Sequence, residues 1–384
     1  MLLKKENLLM LALFGLPCLL IISKVFFTSP VLSNDSYEYI GWSKAFLEDS
    51  SQILNMESYE LVQPQIFYTF NTIIFSVFIF LSPDNWINYF LLFNCFSVAI
   101  IFLNLYIFSK KFLKSKYSLL SVPIIFLCGD IFVWPSYILL DTFYAAIVIS
   151  LMNLLIFFGY KTKFAILILI FLILLKPQSL AIGLGIFLIY LIFNLKIFSF
   201  YKELTAASLF LLVVIFTSVF TLIFTDIVLN AFGYESLSLL IEMIEEGMII
   251  KDRFDGYYLH DGDNISTAII FIERFFSFFQ PWVLDFSLIH NLMYITLNIS
   301  FYLAIFGYLA HKYLKITEKI FKILSIIFLL IIGGAIFHSF TLIDFDWRYR
   351  FPYTGPMALF FGLIFDQLLN YQKPKKNLGA NSDL

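Results

Sequence analysis

Residues 87–108, INYFLLFNCFSVAIIFLNLYIF, contain no Lys, Arg, Asp or Glu. Wound as an α-helix at about 1.5 Å per residue, this run is about 33 Å long, enough to cross a hydrocarbon core about 30 Å thick. Similar runs recur at 205–225 and 323–343, and 61% of the 384 residues are hydrophobic while only 14% are charged. A water-soluble globule of that composition would lack the polar surface to stay dispersed. Lipid is the natural solvent, and in lipid these runs must be helical because open backbone there finds no hydrogen-bond partners. The first apolar run follows Lys4 and Lys5 without a small-residue cleavage site, so it reads as a retained span. With a net charge of −2 there is no basic field for nucleic acid, and no such partner is expected.

The lysines set the direction. Placing 1–7, 109–117, 161–163, 196–204, 311–322 and 371–384 in the cytoplasm collects 17 of the 25 Lys and Arg, as cytoplasmic loops should. A crossing at 64–82 would put Lys110, Lys111, Lys114 and Lys116 outside, so that segment is read as interfacial or re-entrant. The spans then fall at about 8–28, 87–108, 118–138, 142–159, 164–176, 179–196, 205–225, 288–310, 323–343 and 352–370. The expected fold is an all-α polytopic transmembrane bundle of about ten spans plus interfacial or re-entrant helices. Residues 1–370 form one transmembrane catalytic domain, with a first external loop at 29–86 and an external cap loop at 226–287. Residues 371–384 are a cytoplasmic tail. Cys18, Cys95 and Cys128 all fall inside apolar runs, which suits buried small side chains better than disulfides or metal ligands.

This topology gathers most of the acid outside, in 29–63, at Asp141, in 226–287 and in 344–350. Asp35 stands directly after the first span in Ser33-Asn34-Asp35-Ser36-Tyr37-Glu38-Tyr39. It is either the N-cap of the helix that follows or a general base, partly desolvated at the membrane surface. Asp141 is likewise either a helix cap or a second acid of a site. Before the last span lies Asp344-Phe345-Asp346-Trp347-Arg348-Tyr349-Arg350-Phe351-Pro352. Its arginines either snorkel to lipid headgroups and pair with the neighbouring aspartates, or form a phosphate clamp, since guanidinium forks match phosphate oxygens in pairs. Lys176 adds a third outer cation at Lys176-Pro177-Gln178, where proline interrupts the helix. Charges this close to hydrocarbon are costly, which makes function their default reading. The loop 226–287 carries Asp261-Gly262-Asp263-Asn264, a turn sequence that lacks the later ligands of a calcium loop. His260, His290, His311 and His338 stand singly, without zinc-site spacing.

Together these segments resemble the GT-C glycosyltransferases, polytopic enzymes that include protein O-mannosyltransferases, lipid A aminoarabinose transferases and sugar transferases of bacterial surface polysaccharides. The resemblance rests on the external Asp35 in Asn34-Asp35-Ser36-x-x-Tyr39, the Pro64-led apolar helix, Asp141 after the third span, and Arg348-Tyr349-Arg350-x-Pro352. It covers residues 30–365. It implies a sugar donor carried on polyprenyl phosphate, a glycan or lipid acceptor, Asp35 as base, Asp141 as the acid after the third span, and Arg348, Tyr349 and Arg350 on the donor phosphate. Lys176-Pro177 takes the place of an Arg-Pro near the donor. The chain lacks the first-loop Asp-Glu pair of protein O-mannosyltransferases and the Asp-x-Asp of metal-binding oligosaccharyltransferases. A metal-free transfer to a lipid, glycan or saccharide is therefore expected, with no cofactor.

The residues fit that chemistry on physical grounds as well. Displacing a lipid phosphate from an anomeric carbon needs one group to take a proton and others to hold the charge that gathers on the leaving group. In-line attack inverts the anomeric centre. A surface-polysaccharide polymerase of the O-antigen or capsule type would share the membrane and the donor. A lipid or solute transporter would instead carry polar residues in mid-helix, and Asp130 is the clearest candidate of that kind. The Phe-, Ile- and Lys-rich composition points to an AT-rich bacterial genome, hence a bacterial cell membrane with both termini cytoplasmic and the site on the external face.

Overall fold

The computed structural model describes residues 5–51, 69–158, 163–175, 179, 275–282, 287–339 and 349–371. The long apolar runs are helices: α1 (Lys5–Phe27), α4 (Trp86–Phe112), α6 (Asp141–Phe158), α8 (Leu288–Leu309), α9 (Glu318–Ser339) and α10 (Phe351–Tyr371). Shorter helices are α2 (Asn34–Glu48), α3 (Thr69–Leu81), α5 (Lys116–Leu127) and α7 (Lys163–Leu175). Among the described residues five helices are long and apolar enough to cross a membrane, in α1, α4, α6, α8 and α9. α5 and the two 3₁₀ turns that follow it are apolar enough together but bend by 56°, as a broken span or a re-entrant loop does. An α-helical membrane protein is thus observed, and the spans expected at 179–196 and 205–225 lie outside the described residues, as does most of 226–287.

The helices alternate in direction and sort the lysines. The end of α10 meets the start of α5, where Asp366 Oδ1 accepts from the backbone N–H groups of Lys114 (3.0 Å) and Ser115 (2.7 Å). Phe112 at the end of α4 stacks on Phe157 at the end of α6. His311, just past α8, packs on Phe321 in the first turn of α9. A Cβ on Gly307 of α8 would lie 2.3 Å from the Ile364 side chain of α10, so only glycine admits this approach. Lys110, Lys111, Lys114, Lys116, Lys312, Lys315, Lys319 and Lys322 therefore share one end of the bundle, as the loop assignment expects. The opposite end holds the end of α1 and the starts of α2, α4, α6, α8 and α10.

α10 is the centre. It packs against α4, α5, α6, α8 and α9, and from Phe351 to Phe360 every residue is buried. That explains its lower apolarity: a helix surrounded by protein can carry Thr354, Gly355, Pro356 and Asp366 at little cost once their polar groups are bonded.

Two sequence expectations meet specific outcomes. Of the 64–82 segment, the described residues form α3, whose 13 residues make about 20 Å of helix. It lies against α2 through Ser43 Oγ, which donates to Thr72 O at 3.0 Å, and against the first two turns of α4 through Phe75–Phe90 at 4.5 Å. It stays at the lysine-poor end. The expected straight span 118–138 is corrected: α5 ends at Leu127, and 130–136 forms two 3₁₀ turns, with Gly129 pressed against Thr354 and Pro135 inside the second turn. Asp130 is consequently not a mid-helix acid. It opens a turn at the lysine-poor end.

Candidate functional site

The lysine-poor end is built around residues 128–141. Val31, just after α1, pairs in parallel with Tyr137: Val31 N–H donates to Ser136 O and Ile138 N–H to Val31 O, both at 2.9 Å. Thr28 Oγ1 and Ser136 Oγ are 3.1 Å apart, and Lys24 Nζ donates to Phe132 O. From the other side Asn94 Nδ2 donates to Pro135 O (3.2 Å) and Tyr137 O (2.9 Å). Side chains of α1 and α4 thus satisfy a backbone that has no helix of its own.

This lacing sets the two acids predicted from the sequence on the arms of one bridge. Asp35 lies in the first turn of α2, half-buried. The N-cap is Ser33, not Asp35: Ser33 Oγ accepts from Ser36 N–H, and Ser36 Oγ returns the bond to Ser33 N–H at 3.0 Å. The capping alternative for Asp35 falls away, since the orphan amides are satisfied from Ser33. Asp141 opens α6 and is buried, with only 1% of its surface exposed. Its carboxylate is close enough to act electrostatically on Tyr144, one turn along the helix.

Arg350 directly precedes α10 and is the largest fully buried side chain among the described residues. Its guanidinium Nη1 donates to Phe278 O (3.3 Å) and Gln280 O (3.2 Å), and its Cζ stands 4.6 Å from the centroid of the Tyr294 ring. Asp130 is near enough to attract it. Tyr349 is partly buried, with its ring 6.3 Å from that of His338, whose Nε2 is 3.2 Å from Ser277 Oγ. Lys176 and Arg348, the other two predicted phosphate groups, lie outside the described residues. The structure therefore collects Asp35, Asp141, Tyr349 and Arg350 at one end of the bundle, although more than 300 residues separate the first from the last.

Two cavities border this end. One, of about 280 Å³, lies between the 128–133 segment and the start of α8, lined by Gly129, Phe132, His290, Met293 and Tyr294 among others. His290 is oriented there by Ser287 Oγ, 2.8 Å from its Nδ1. The second is an almost wholly apolar groove of about 520 Å³ between α3, α4, α6 and α7, lined by Phe70, Ile100, Phe143, Ile147 and Phe171 among others. Phe143 stands only two positions from Asp141.

Sequence reading missed the partners of Arg350. Backbone carbonyls of Phe278 and Gln280 carry no residue signature, and Tyr294 stands in an apolar run like many other aromatics. Asp130 did carry a signal, as an acid in an apolar run, but the cation it attracts stands more than 200 residues away. No protein-family model, no curated protein and no solved structure matches this chain.

Proposed function

We propose that this chain is a membrane glycosyltransferase of the GT-C kind, moving a sugar from a polyprenyl-phosphate donor to a glycan or lipid acceptor at the outer face of a bacterial cell membrane. The observation that carries this reading is the position of Asp141. This buried acid starts α6 at the same end of the bundle as Asp35, and Phe143 in the first turn of that helix lines an apolar groove. A long hydrocarbon chain suits such a groove, and its phosphate end would then stand at the acidic and basic groups of the lysine-poor end.

In the proposed reaction Asp35, half-exposed at the start of α2, takes the proton from the acceptor hydroxyl. The acceptor oxygen bonds to the anomeric carbon as the bond from that carbon to the phosphate oxygen breaks, and the phosphate leaves with the electron pair. Asp141 is the second acid of this end, buried behind the reacting groups and adding its negative charge to the site. Arg348 and Lys176 meet the charge developing on phosphate. Arg350, held by two carbonyls and Tyr294, fixes the start of α10 next to Tyr349. No nucleotide and no metal enters this scheme.

The test is purified wild type and Asp35→Asn in nanodiscs, supplied with a panel of synthetic undecaprenyl-phosphate sugars and membrane-lipid acceptors, with products read by mass spectrometry. Transfer by wild type, reduced about 10²–10⁴-fold in the variant, is expected. Absence of transfer from every donor, or normal turnover by Asp35→Asn, overturns the proposal.

A further inference from the structure

The turn between α8 and α9 ends in a Schellman pair of hydrogen bonds: Ile316 N–H donates to His311 O at 3.0 Å and Lys315 N–H to Lys312 O at 3.2 Å. That pattern needs a left-handed backbone at the position Lys315 fills, and its φ is 51°. Lys315 is the only residue other than glycine with a positive φ among the described residues. A Cβ is crowded in this conformation and glycine has none, so folding alone would select glycine here. The turn is also a fixed part of the bundle. Ile316 packs on the core, and the His311 ring lies 4.4 Å from that of Phe321.

An ion pair does not account for the lysine. Lys322 pairs with Glu318 at 2.7 Å, whereas Lys312, Lys315 and Lys319 are exposed and have no ion-pair partner among the described residues. Membrane orientation asks for lysines at this end of the bundle but not at this backbone position, since the exposed neighbours Tyr313 and Thr317 could carry the charge without a left-handed residue. A residue held in a costly conformation on a well-bonded turn points to a task for its side chain. The surface beside it is graded. Ile299, Leu303 and Phe306 are exposed along one face of α8, Tyr313 stands beyond them in the turn, and the three ammonium groups follow. Acyl chain, interface and headgroup phosphate have the same order in a phospholipid.

We propose that Lys312, Lys315 and Lys319 form a binding site for the phosphate of an anionic phospholipid, whose acyl chains lie along Ile299, Leu303 and Phe306. Each ammonium group brings three N–H donors and a full charge to phosphate oxygens that only accept. Glycine at 315 would ease the turn and remove one of the three charges. The site stands at the lysine-rich end, away from Asp35 and Asp141, and is independent of the transfer reaction.

The experiment is thermal unfolding of the full-length wild type, Lys315→Gly and Lys312→Gln in two kinds of nanodisc, phosphatidylcholine alone and phosphatidylcholine mixed with phosphatidylglycerol. Glycerol phosphate added to the first kind supplies the same phosphate chemistry in soluble form. Wild type should unfold about 3–6 °C higher when phosphatidylglycerol is present. Lys315→Gly should unfold no lower than wild type in phosphatidylcholine, because the left-handed turn no longer carries a Cβ, and should lose at least half of the phosphatidylglycerol increment. Lys312→Gln leaves the left-handed position untouched and should lose a similar share. No increment in wild type, or an increment that survives either substitution, overturns the site. A Lys315→Gly protein that unfolds lower than wild type in phosphatidylcholine would show the lysine serving the fold, and overturns it as well. If glycerol phosphate raises the wild-type midpoint as much as phosphatidylglycerol does, the ligand is a soluble phosphate and the lipid assignment falls.

Discussion

The guanidinium carbon of Arg350 lies 4.6 Å from the centre of the Tyr294 ring, so that α8 supplies the face on which the residue preceding α10 rests. Stacking and two carbonyls stand in for part of the water that this cation gives up, and Asp130 attracts it. Removing one charge of such a buried pair should be worse than removing both. Arg350→Met is expected to cost about 1–3 kcal/mol, because the Phe278 and Gln280 carbonyls lose their donor and Asp130 the nearby cation. Asp130→Asn with Arg350→Met should recover more than half of that loss. Thermal unfolding in detergent measures it, and equal destabilisation by the single and double variants would show that the two charges do not act as a pair.

At the other end of the bundle Asp366 performs the corresponding task for backbone. Its Oδ1 accepts from Lys114 and Ser115 N–H, and its Oδ2 from Asn370 Nδ2 at 3.0 Å. Asp366→Ala should destabilise by about 1–3 kcal/mol and expose the start of α5 to exchange. Asp366→Asn should cost less, because the amide oxygen still accepts. Protection of the 114–116 amides, followed by hydrogen exchange, distinguishes these outcomes, and an unaltered rate in Asp366→Ala would disprove the cap.

The lysine clusters and the long apolar runs made the crossing helices and the end sorting legible, because charge at loops and length in hydrocarbon are both set by one residue at a time. The end of α5 was not. Ile-Phe-Val-Trp at 131–134 is as apolar as a helix interior, and only the lacing by Lys24, Val31 and Asn94 allows the backbone there to leave the helix. Asp366 was likewise opaque, since an acid in an apolar run acquires meaning only from amides about 250 positions away. The site was half legible. The ends of α6 and α10 that carry Asp141 and Arg350 were legible by type and place, whereas the burial of Arg350 depends on carbonyls that no residue name reveals.

The membrane orientation follows from the same lysine sorting and is testable at two exposed tyrosines. Tyr37 on α2 is 61% exposed and Tyr313 beyond α8 is 83% exposed. With the native cysteines changed to serine, a cysteine placed at 37 should react with an impermeant maleimide on intact cells, and one placed at 313 should react only after permeabilisation. Labelling of 313 from outside would invert the proposed topology and remove the external site.

The last prediction separates folding from chemistry within three residues. Ser33 holds the amides at the start of α2 while Asp35, two positions on, is left out of the capping box. Ser33→Ala should therefore lower stability by about 0.5–2 kcal/mol and leave turnover per folded molecule within a few fold. Asp35→Asn should do the reverse, changing stability by less than about 0.5 kcal/mol while lowering transfer about 10²–10⁴-fold. Both variants are measured together, by thermal unfolding and by sugar transfer from the undecaprenyl-phosphate panel. If Asp35→Asn instead lost stability and Ser33→Ala lost transfer, the carboxylate would be a part of the fold, and a different base would have to be sought at this end of the bundle, with Asp141 the first to substitute.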